Sequence, residues 1–337
     1  MKSDSGDLLQ KNTPLLCVDE PEAVPWLRPI THVYTDLDGT LLAPSGRLLT
    51  AHDGTPSTAV TEALVALKRA GIEVIIVTGR STQQGSEFLR LLNLQTFIGD
   101  FGCMALEGVG MKQKVFFELG DWANTVLVDG LAPGELPDGI TPYQLILRSG
   151  VIERLTAAFP GKLELHTPFP DVRIVTHAFR GLVDNDKVAR ILAAEALPLE
   201  LADNGEIHPQ VHTLVDCPEI HIYHLVPRGS SKALAVKADM ERRGVSPEQA
   251  LAIGDAVSDI EMGDYVGTLV VMGNALHSET VQKALKARAA RFEAGMWDGD
   301  EGDGAGPPRQ NEAVTLYTQG FTADGWVEFA QALLAAQ

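Results

Sequence analysis

Short apolar runs and stretches of helical periodicity alternate along the first third of the chain. The predicted elements, in chain order, are a strand at residues 32–35, a helix that Ser57 or Thr58 can cap and that ends at Gly71, a strand at 72–77, a helix opened by residues 78–81 and running to about Leu92, and a strand at 95–98. Continuous apolar strands that alternate with helices predict an α/β fold with a doubly wound, Rossmann-like parallel sheet.

This pattern breaks near Gly108 and resumes at Ser230. The pieces recognised between these points are strand-like at 114–117 and 172–177 and helix-like at 151–159 and 185–196, which predicts an inserted α+β domain. The elements after the insert are a helix from Lys232 to Arg243 closed by Gly244, a strand at 250–253, a loop and helix at 255–264 and a strand at 268–272. Helical spacing assigns Trp326, Val327, Phe329 and Leu333 to the core.

The length of 337 residues favours two domains. Residues 1–30 are polar and contain four prolines, so we expect an N-terminal extension with little regular structure. We expect a core domain of residues 31–108 and 225–337 and an inserted domain of residues 109–224.

The composition limits the cellular compartment and the binding partners that we expect for this chain. A formal charge of −18 argues against nucleic acid and anionic membrane surfaces as partners. No apolar run is long enough for a membrane span and no secretory signal is recognisable, so we expect a cytoplasmic protein. Cys17, Cys103 and Cys217 are odd in number and widely spaced, which favours reduced thiols.

The most informative polar residues are Asp36 and Asp38, which directly follow the first predicted strand. Residues i and i+2 of an extended segment share a face, so both carboxylates leave the strand on the same side. Two acids this close repel each other unless a cation or a reacting anion lies between them. A solvated Asp-x-Asp-Gly turn is the alternative. The apolar flanks favour carboxylates at the C-terminal edge of a strand, where open α/β sheets bind ligands.

Three further groups are predicted at strand ends or helix starts, and therefore at the same edge. Thr78 with Gly79 offers a hydroxyl and backbone N–H groups that can hold a phosphate. Lys232 supplies a point charge for a phosphoryl oxygen or for a nucleophile. Asp255 and Asp259 give two hard oxygen ligands in one loop, as Mg²⁺ prefers. Together the groups predict phosphoryl transfer.

In this order the segments resemble the four motifs of the haloacid dehalogenase superfamily. The matching residues are Asp36-Leu37-Asp38-Gly39-Thr40, then Thr78, then Lys232, then Gly254-Asp255 with Asp259. The stretch from Lys232 to Met272-Gly273-Asn274-Ala275 is similar to the Cof-type phosphatase branch. The resemblance covers the predicted core, and the position of the insert resembles the α/β cap of this superfamily, which closes over the crevice and selects the leaving group.

The resemblance implies a role for each acid. Asp36 attacks phosphorus and forms an aspartyl-phosphate, and Asp38 protonates the leaving alcohol and then activates water. Mg²⁺ is held by Asp36, by Asp255 and by Asp38 through its backbone carbonyl. Asp259 binds the metal through water or orients Lys232.

The phosphate site implied by the resemblance consists of Thr78, Gly79, Lys232 and Ser258. Ser258 departs from the family pattern, because asparagine is frequent at this position in the branch. Serine donates a hydrogen bond over a shorter reach, so we expect altered hydrogen bonding around the phosphate or the metal in an active enzyme.

Several polar residues outside the four motifs are better explained by structural or surface roles than by a functional site. His208, His212, His221 and His224 lack a regular zinc spacing and are expected to be structural or surface residues. Arg148, Arg173 and Arg180 are capable of touching a second anionic group, although a solvated face is the commoner location. Arg80 either points into the crevice or pairs with an acid. The acidic segment 297–308 breaks calcium-loop spacing and is expected to be a solvated loop.

These features favour a Mg²⁺-dependent phosphomonoesterase that acts on a small phosphorylated metabolite, a sugar phosphate or a relative. A phosphohexomutase of the same superfamily is one alternative, and a non-catalytic binding protein with this fold is the other. The sequence leaves open whether the protein is a monomer or a homodimer.

Overall fold

The computed structural model describes residues 15–166, 173–293 and 314–337. The strands are β1 (Leu16–Cys17), β2 (His32–Thr35), β3 (Glu73–Val77), β4 (Thr96–Gly99), β5 (Met104–Glu107), β6 (Lys114–Phe117), β7 (Leu163–Leu165), β8 (His177–Gly181), β9 (Leu199–Glu206), β10 (His221–Pro227), β11 (Ala250–Gly254), β12 (Thr268–Val271) and β13 (Val314–Tyr317). The α-helices are α1 (Val24–Leu27), α2 (Ala59–Arg69), α3 (Thr82–Leu92), α4 (Pro142–Ser149), α5 (Val151–Ala158), α6 (Asn185–Ala193), α7 (Lys232–Arg243), α8 (Val257–Met262), α9 (Glu279–Glu293) and α10 (Thr322–Ala336).

The chain divides into two compact units. The first unit is Met1–Val74 with Met240–Gln337, and the second is Ile75–Asp239. These bounds fall within β3 and α7. They differ from the core and insert drawn from the sequence, and that domain division stays a prediction.

A parallel sheet in the order β1-β13-β12-β11-β2 forms the centre of the first unit. Every residue of β11 and β12 is buried, as expected for strands covered on both faces. Helix α10 packs against α1 and α2. Its residues Trp326, Phe329 and Leu333 are fully buried, which confirms their predicted core role, whereas Val327 is half-buried.

The expectation of little regular structure before residue 31 is wrong for the part that the structure describes. Strand β1 pairs in parallel with β13, with Cys17 opposite Tyr317. A 3-10 helix at Pro21–Ala23 leads into α1. The buried residues of this segment are Cys17, Val18, Ala23, Leu27 and Ile30. The segment is therefore part of the hydrophobic core of the first unit.

In the second unit, β4 pairs in parallel with β3, but β5 and β6 continue the sheet antiparallel. The predicted α/β fold with a Rossmann-like sheet is confirmed, and the antiparallel strands β5 and β6 make that sheet mixed. The reason is length: only residues 100–103 join β4 to β5, and a parallel crossover needs a dozen or more residues.

A second, antiparallel sheet in the order β7-β8-β10-β9 lies in the same unit. Its apolar residues form one core cluster with those of α4, α5 and α6, around the fully buried Trp122, Phe179 and Leu225. This arrangement confirms the α+β character of the insert. The strand predicted at 172–177 is shifted, because β8 begins at His177, and residue 172 lies outside the described residues.

The periodicity-based elements are otherwise confirmed within a few residues. Helix α2 buries Val60, Ala63, Leu64 and Leu67 as expected, and β2 and β6 have the predicted bounds. The acidic segment 297–308 lies outside the described residues. In the part of the chain that the structure describes, no helix has the length and apolarity that a membrane span needs.

Candidate active site

Asp36 follows β2 directly and has a fixed backbone. Its N–H donates to the carbonyl of Ile253 at 2.9 Å. Its carbonyl accepts from the hydroxyl of Thr35 at 2.8 Å, and that hydroxyl accepts from Nε1 of Trp326 at 3.1 Å. The Asp36 side chain is 5% exposed. A core tryptophan therefore supports the proposed nucleophile through a single hydroxyl group.

The turn after Asp36 needs a glycine at position 39. Gly39 has φ +86°, and a Cβ there would lie 2.1 Å from Oδ2 of Asp255. A side chain is therefore excluded by both the backbone conformation and the approach of the carboxylate. Thr40 follows and donates its hydroxyl to Oδ1 of Asp255 at 3.2 Å. The Asp-x-Asp-Gly-Thr segment thus positions the carboxylate of Asp255, which follows the neighbouring strand β11.

Asn274 binds the other carboxylate oxygen of Asp255. Its Nδ2 lies 3.1 Å from Oδ2 of Asp255 and 3.1 Å from the carbonyl of Gly39. Its Oδ1 accepts from the N–H of Thr322, the first residue of α10, at 3.0 Å. Asn274 lies in the Cof-like stretch of the sequence, where no role is predicted for it. Its place after β12, at the same edge as Asp36, is the signal that identifies it.

Asp259 is buried, at 1% exposure, and its Oδ2 accepts from the N–H groups of Asp255 and Ala256. It is the third residue of α8 and reaches back to cap that helix. Gly254 permits this approach, because a Cβ there would lie 2.2 Å from the Cβ of Asp259. Asp259 therefore fixes the loop that carries Asp255.

The carboxylates of Asp36, Asp255 and Asp259 converge, with one oxygen of each within 4.8 Å of the others. Three hard oxygen donors, two of them on buried residues, suit Mg²⁺. Neutral N–H and O–H groups bind both carboxylates: Thr40 and Asn274 bind Asp255, and two backbone N–H groups bind Asp259. The side chain of Asp38 is exposed and is not one of the three converging carboxylates, and Ser258 is buried in α8.

In the second unit, Thr78 and Gly79 lie in the loop between β3 and α3. The capping residue of α3 is Ser81, which forms a capping box with Gln84. Thr78 therefore lies three residues before the helix cap, and its expected place at the helix start is corrected to the loop. Its Oγ1 accepts from the N–H of Arg80 at 3.3 Å.

Lys232 is the first residue of α7, as predicted, and is 1% exposed. Its Nζ lies 6.0 Å from the centre of the Phe101 ring. Gly102 has φ +93°, and a Cβ there would lie 2.3 Å from the carbonyl oxygen of Ser231. The turn after β4 therefore packs directly on the residue before Lys232.

His224 is a buried histidine of strand β10. It is 2% exposed, it stacks on Phe101, and its Nε2 lies 2.6 Å from where a Cβ of Gly79 would be. Burial lowers the pKa of His224 well below its usual range, and nearby Arg173 and Lys232 lower this pKa further. His224 is therefore neutral at neutral pH. His221 pairs with Asp203, and His208 is exposed.

The arginines of the insert also differ from a purely solvated set. Arg148 is exposed, whereas Arg180 pairs with Glu164 and Arg173 pairs with Asp100, both largely buried.

The fold and the site together define a class of protein in which an α/β sheet carries converging carboxylates at its strand ends. The family model of haloacid dehalogenase-like hydrolases matches residues 33–110 and 199–289, and the chain belongs to this family. A phosphoglycolate phosphatase of Methanoculleus marisnigri is 26% identical over 244 residues, which cover 72% of this chain and 84% of that protein. The pyridoxal phosphate phosphatase YbhA of Escherichia coli is 28% identical over 286 residues, which cover 76% of this chain and 90% of that protein.

Among solved structures, protein 0175 of Thermoplasma acidophilum has a TM-score of 0.53 at 14% identity, over 91% of this chain and 99% of that chain. That likeness shows the fold. The family match and the phosphatase relatives confirm the Cof-type phosphatase that the motifs predict.

Proposed function

We propose that this protein is a Mg²⁺-dependent phosphomonoesterase that hydrolyses a small phosphorylated metabolite through an aspartyl-phosphate. The observation that carries the proposal is the convergence of Asp36, Asp255 and Asp259 within 4.8 Å, directly after the strand of the first motif. The names of two relatives, which specify phosphoglycolate and pyridoxal phosphate, support a small substrate. A sugar phosphate or a relative is the class we propose.

Two acids of the first motif perform the chemistry in this proposal. A carboxylate oxygen of Asp36 attacks phosphorus, the bond from phosphorus to the ester oxygen breaks, and Asp38 gives its proton to the leaving alcohol. Asp38 then takes a proton from water as that water attacks the aspartyl-phosphate. Inorganic phosphate leaves and Asp36 is regenerated. The exposure of the Asp38 side chain suits a group that exchanges protons with substrate and water.

We assign the phosphoryl oxygens to Thr78, Gly79, Lys232 and Ser258. Lys232 contributes a full positive charge, and Gly79 contributes a backbone N–H. We assign the metal to Asp36, Asp255 and Asp259, with the carbonyl of Asp38 as a further ligand. The bound Mg²⁺ supplies positive charge that offsets the repulsion between nucleophile and phosphoryl group.

The proposal also assigns a role to each predicted domain and a cellular location to the enzyme. Residues 31–108 and 225–337 form the catalytic core, and the insert of residues 109–224 selects the leaving group. We place the enzyme in the cytoplasm, and the free thiols of Cys17, Cys103 and Cys217 support a reducing environment.

Removal of the nucleophile tests the proposal. Asp36→Asn keeps the shape of the side chain but removes its negative charge. We therefore expect phosphate release from p-nitrophenyl phosphate with Mg²⁺ to fall at least about a thousandfold. Asp53→Asn is the matched control, because Asp53 is an exposed turn residue of the same unit, and it should keep wild-type activity.

Full activity of the Asp36→Asn variant would refute the mechanism. Chelation of Mg²⁺ by EDTA should abolish turnover in the wild type, and added Mg²⁺ should restore it. Product analysis of hexose phosphates separates the hydrolase from a mutase, because a hydrolase releases inorganic phosphate and a mutase yields an isomeric sugar phosphate.

A further inference from the structure

The loop of residues 78–81, which joins β3 to α3, has three successive carbonyl groups held by fixed donors. The bonds are Phe101 N to Thr78 O at 3.2 Å, Arg173 Nη1 to Gly79 O at 2.7 Å, and Asp100 N to Arg80 O at 2.9 Å. In a trans peptide the C=O and the following N–H point in opposite directions. The fixed carbonyls therefore direct the next N–H groups away from these donors.

One of those N–H groups is available to a ligand. Arg80 N–H donates to Oγ1 of Thr78, and Ser81 N–H donates to Oε1 of Gln84. The N–H of Gly79 has no hydrogen-bond partner among the residues that the structure describes. Since Gly79 is assigned to the phosphate, its N–H is the donor that the loop presents to a phosphoryl oxygen.

The residues that hold this loop have an unusual backbone. Asp100 has φ +47° and Phe101 has φ +59°, in the left-handed region that residues with side chains rarely adopt. The Asp100 side chain is fully buried. Its carboxylate accepts from Nη1 of Arg173 at 3.0 Å and from the N–H groups of Ile174 and Val175 at 3.1 Å each. These bonds hold the turn that supplies two of the three donors.

Arg173 connects Asp100 to the 78–81 loop. Its Nη1 contacts the carboxylate of Asp100, the carbonyl of Gly79 and the hydroxyl of Thr176, and its side chain is only 9% exposed. Burial raises the pKa of Asp100, and the guanidinium of Arg173 opposes that rise. The ion pair therefore connects a segment of the predicted insert to the 78–81 loop.

We propose that Arg173 and Asp100 are a positioning pair, which fixes the 78–81 loop so that the N–H of Gly79 faces the phosphoryl group of the substrate. This inference rests on the proposed function. It gives the insert a task beyond selecting the leaving group, because a residue of the insert sets the geometry of phosphate binding.

The Arg173→Gln variant tests this pair. Loss of a charged donor shared by three acceptors should raise the Kd of inorganic phosphate, measured by calorimetry with Mg²⁺, about tenfold. The KM for p-nitrophenyl phosphate should rise by the same factor. Without any ligand, amide hydrogen exchange in the peptide that contains residues 78–81 should accelerate.

Arg180→Gln is the matched control. Arg180 forms a similarly buried ion pair with Glu164 of β7, and its side chain is 8% exposed against 9% for Arg173. This variant should lose comparable thermal stability but leave phosphate affinity and loop exchange within about twofold of wild type. Equal phosphate affinity and equal exchange in folded Arg173→Gln and wild type would overturn the inference.

Two further measurements keep the test decisive. If Arg173→Gln does not fold, Arg173→Lys replaces it, since lysine keeps the charge but lacks the guanidinium geometry, and the Kd should rise about threefold. An unchanged Kd in that variant refutes the pair. If the wild type itself neither binds phosphate nor releases it from any ester, the proposed function fails, whereas the exchange measurement still reports on the pair.

Discussion

At the scale of single residues, neutral donors orient two carboxylates of the candidate metal site. Thr40 and Asn274 each bind one oxygen of Asp255 at 3.1–3.2 Å, and backbone N–H groups bind Asp259. Such donors fix the direction of a carboxylate without neutralising its charge. An arginine in the same place would also orient the group but would compete with the cation. These donors thus pre-organise two of the three carboxylates.

His177 is a buried histidine that the fold keeps neutral. It is 2% exposed, and its Nε2 lies 2.9 Å from the carbonyl of Tyr143, whose ring stacks on it. Burial lowers its pKa from 6.5 to about 4, nearby Arg173 acts in the same direction, and Glu153 opposes it. Between pH 6.5 and about pH 4, His177 is protonated in the unfolded chain but neutral in the folded protein. The stability that depends on neutral His177 is therefore complete above pH 6.5 and is lost as the pH falls towards 4.

A comparison of unfolding curves checks this. We expect the free energy of unfolding of wild type, measured in urea, to fall by about 3 kcal/mol more between pH 6.5 and pH 4 than that of His177→Gln. His208→Gln removes a histidine that is 87% exposed and should follow the wild-type curve. Parallel curves for wild type and His177→Gln would show that His177 does not titrate as stated.

At the scale of elements, helix α10 connects the core to Asp36, the proposed nucleophile. Trp326 is fully buried and donates to Thr35, the residue before Asp36. Trp326→Ala should lower the free energy of unfolding by about 3–5 kcal/mol through the cavity it creates. Trp326→Phe, which mainly removes the donor, should cost about 1–2 kcal/mol. Chemical denaturation measures both.

Gln331→Ala is the control on the same helix, because Gln331 is exposed and its loss should change stability by less than about 0.5 kcal/mol. A Trp326→Ala variant as stable as this control would mean that α10 does not anchor the first unit.

The elements show which parts of the fold can be predicted from sequence. Helix α2 and strand β2 follow from local apolar spacing, so both were predictable. Strand β1 was not, because it has two residues in a proline-containing segment and depends on β13, about 300 positions later. The direction of β5 depends on a short turn whose left-handed residues, Asp100 and Phe101, are not glycines.

In the candidate site, too, some features could be predicted from the sequence and others could not. Asp36, Asp255 and Lys232 lie in ordered motifs that the sequence alone reveals, and their roles stay predictions. The contacts that position them join residues far apart, such as Asn274 with Gly39 or Arg173 with Asp100, and no local pattern signals such pairs. The proximity of His224 to Gly79 was not predictable for the same reason, since it arises only when β10 is folded.

At the scale of the whole molecule, the formal charge of −18 acts on both ligands of the proposed reaction. A negative potential attracts Mg²⁺ and repels a phosphate ester dianion. Added salt screens that potential, since the Debye length shrinks from about 20 Å near 20 mM to about 6 Å near 300 mM ionic strength. The two ligands should therefore respond to salt in opposite directions.

We expect the Kd of Mg²⁺ for the wild type, measured by calorimetry, to rise about three- to tenfold between about 20 and 300 mM NaCl. Over the same range and at saturating Mg²⁺, the KM for p-nitrophenyl phosphate should fall, because screening reduces repulsion of the ester. Sucrose at matched osmolality is the control and should change neither value. A Mg²⁺ affinity that is insensitive to NaCl would mean that local contacts at Asp36, Asp255 and Asp259 dominate binding and that the overall charge has no measurable part in it.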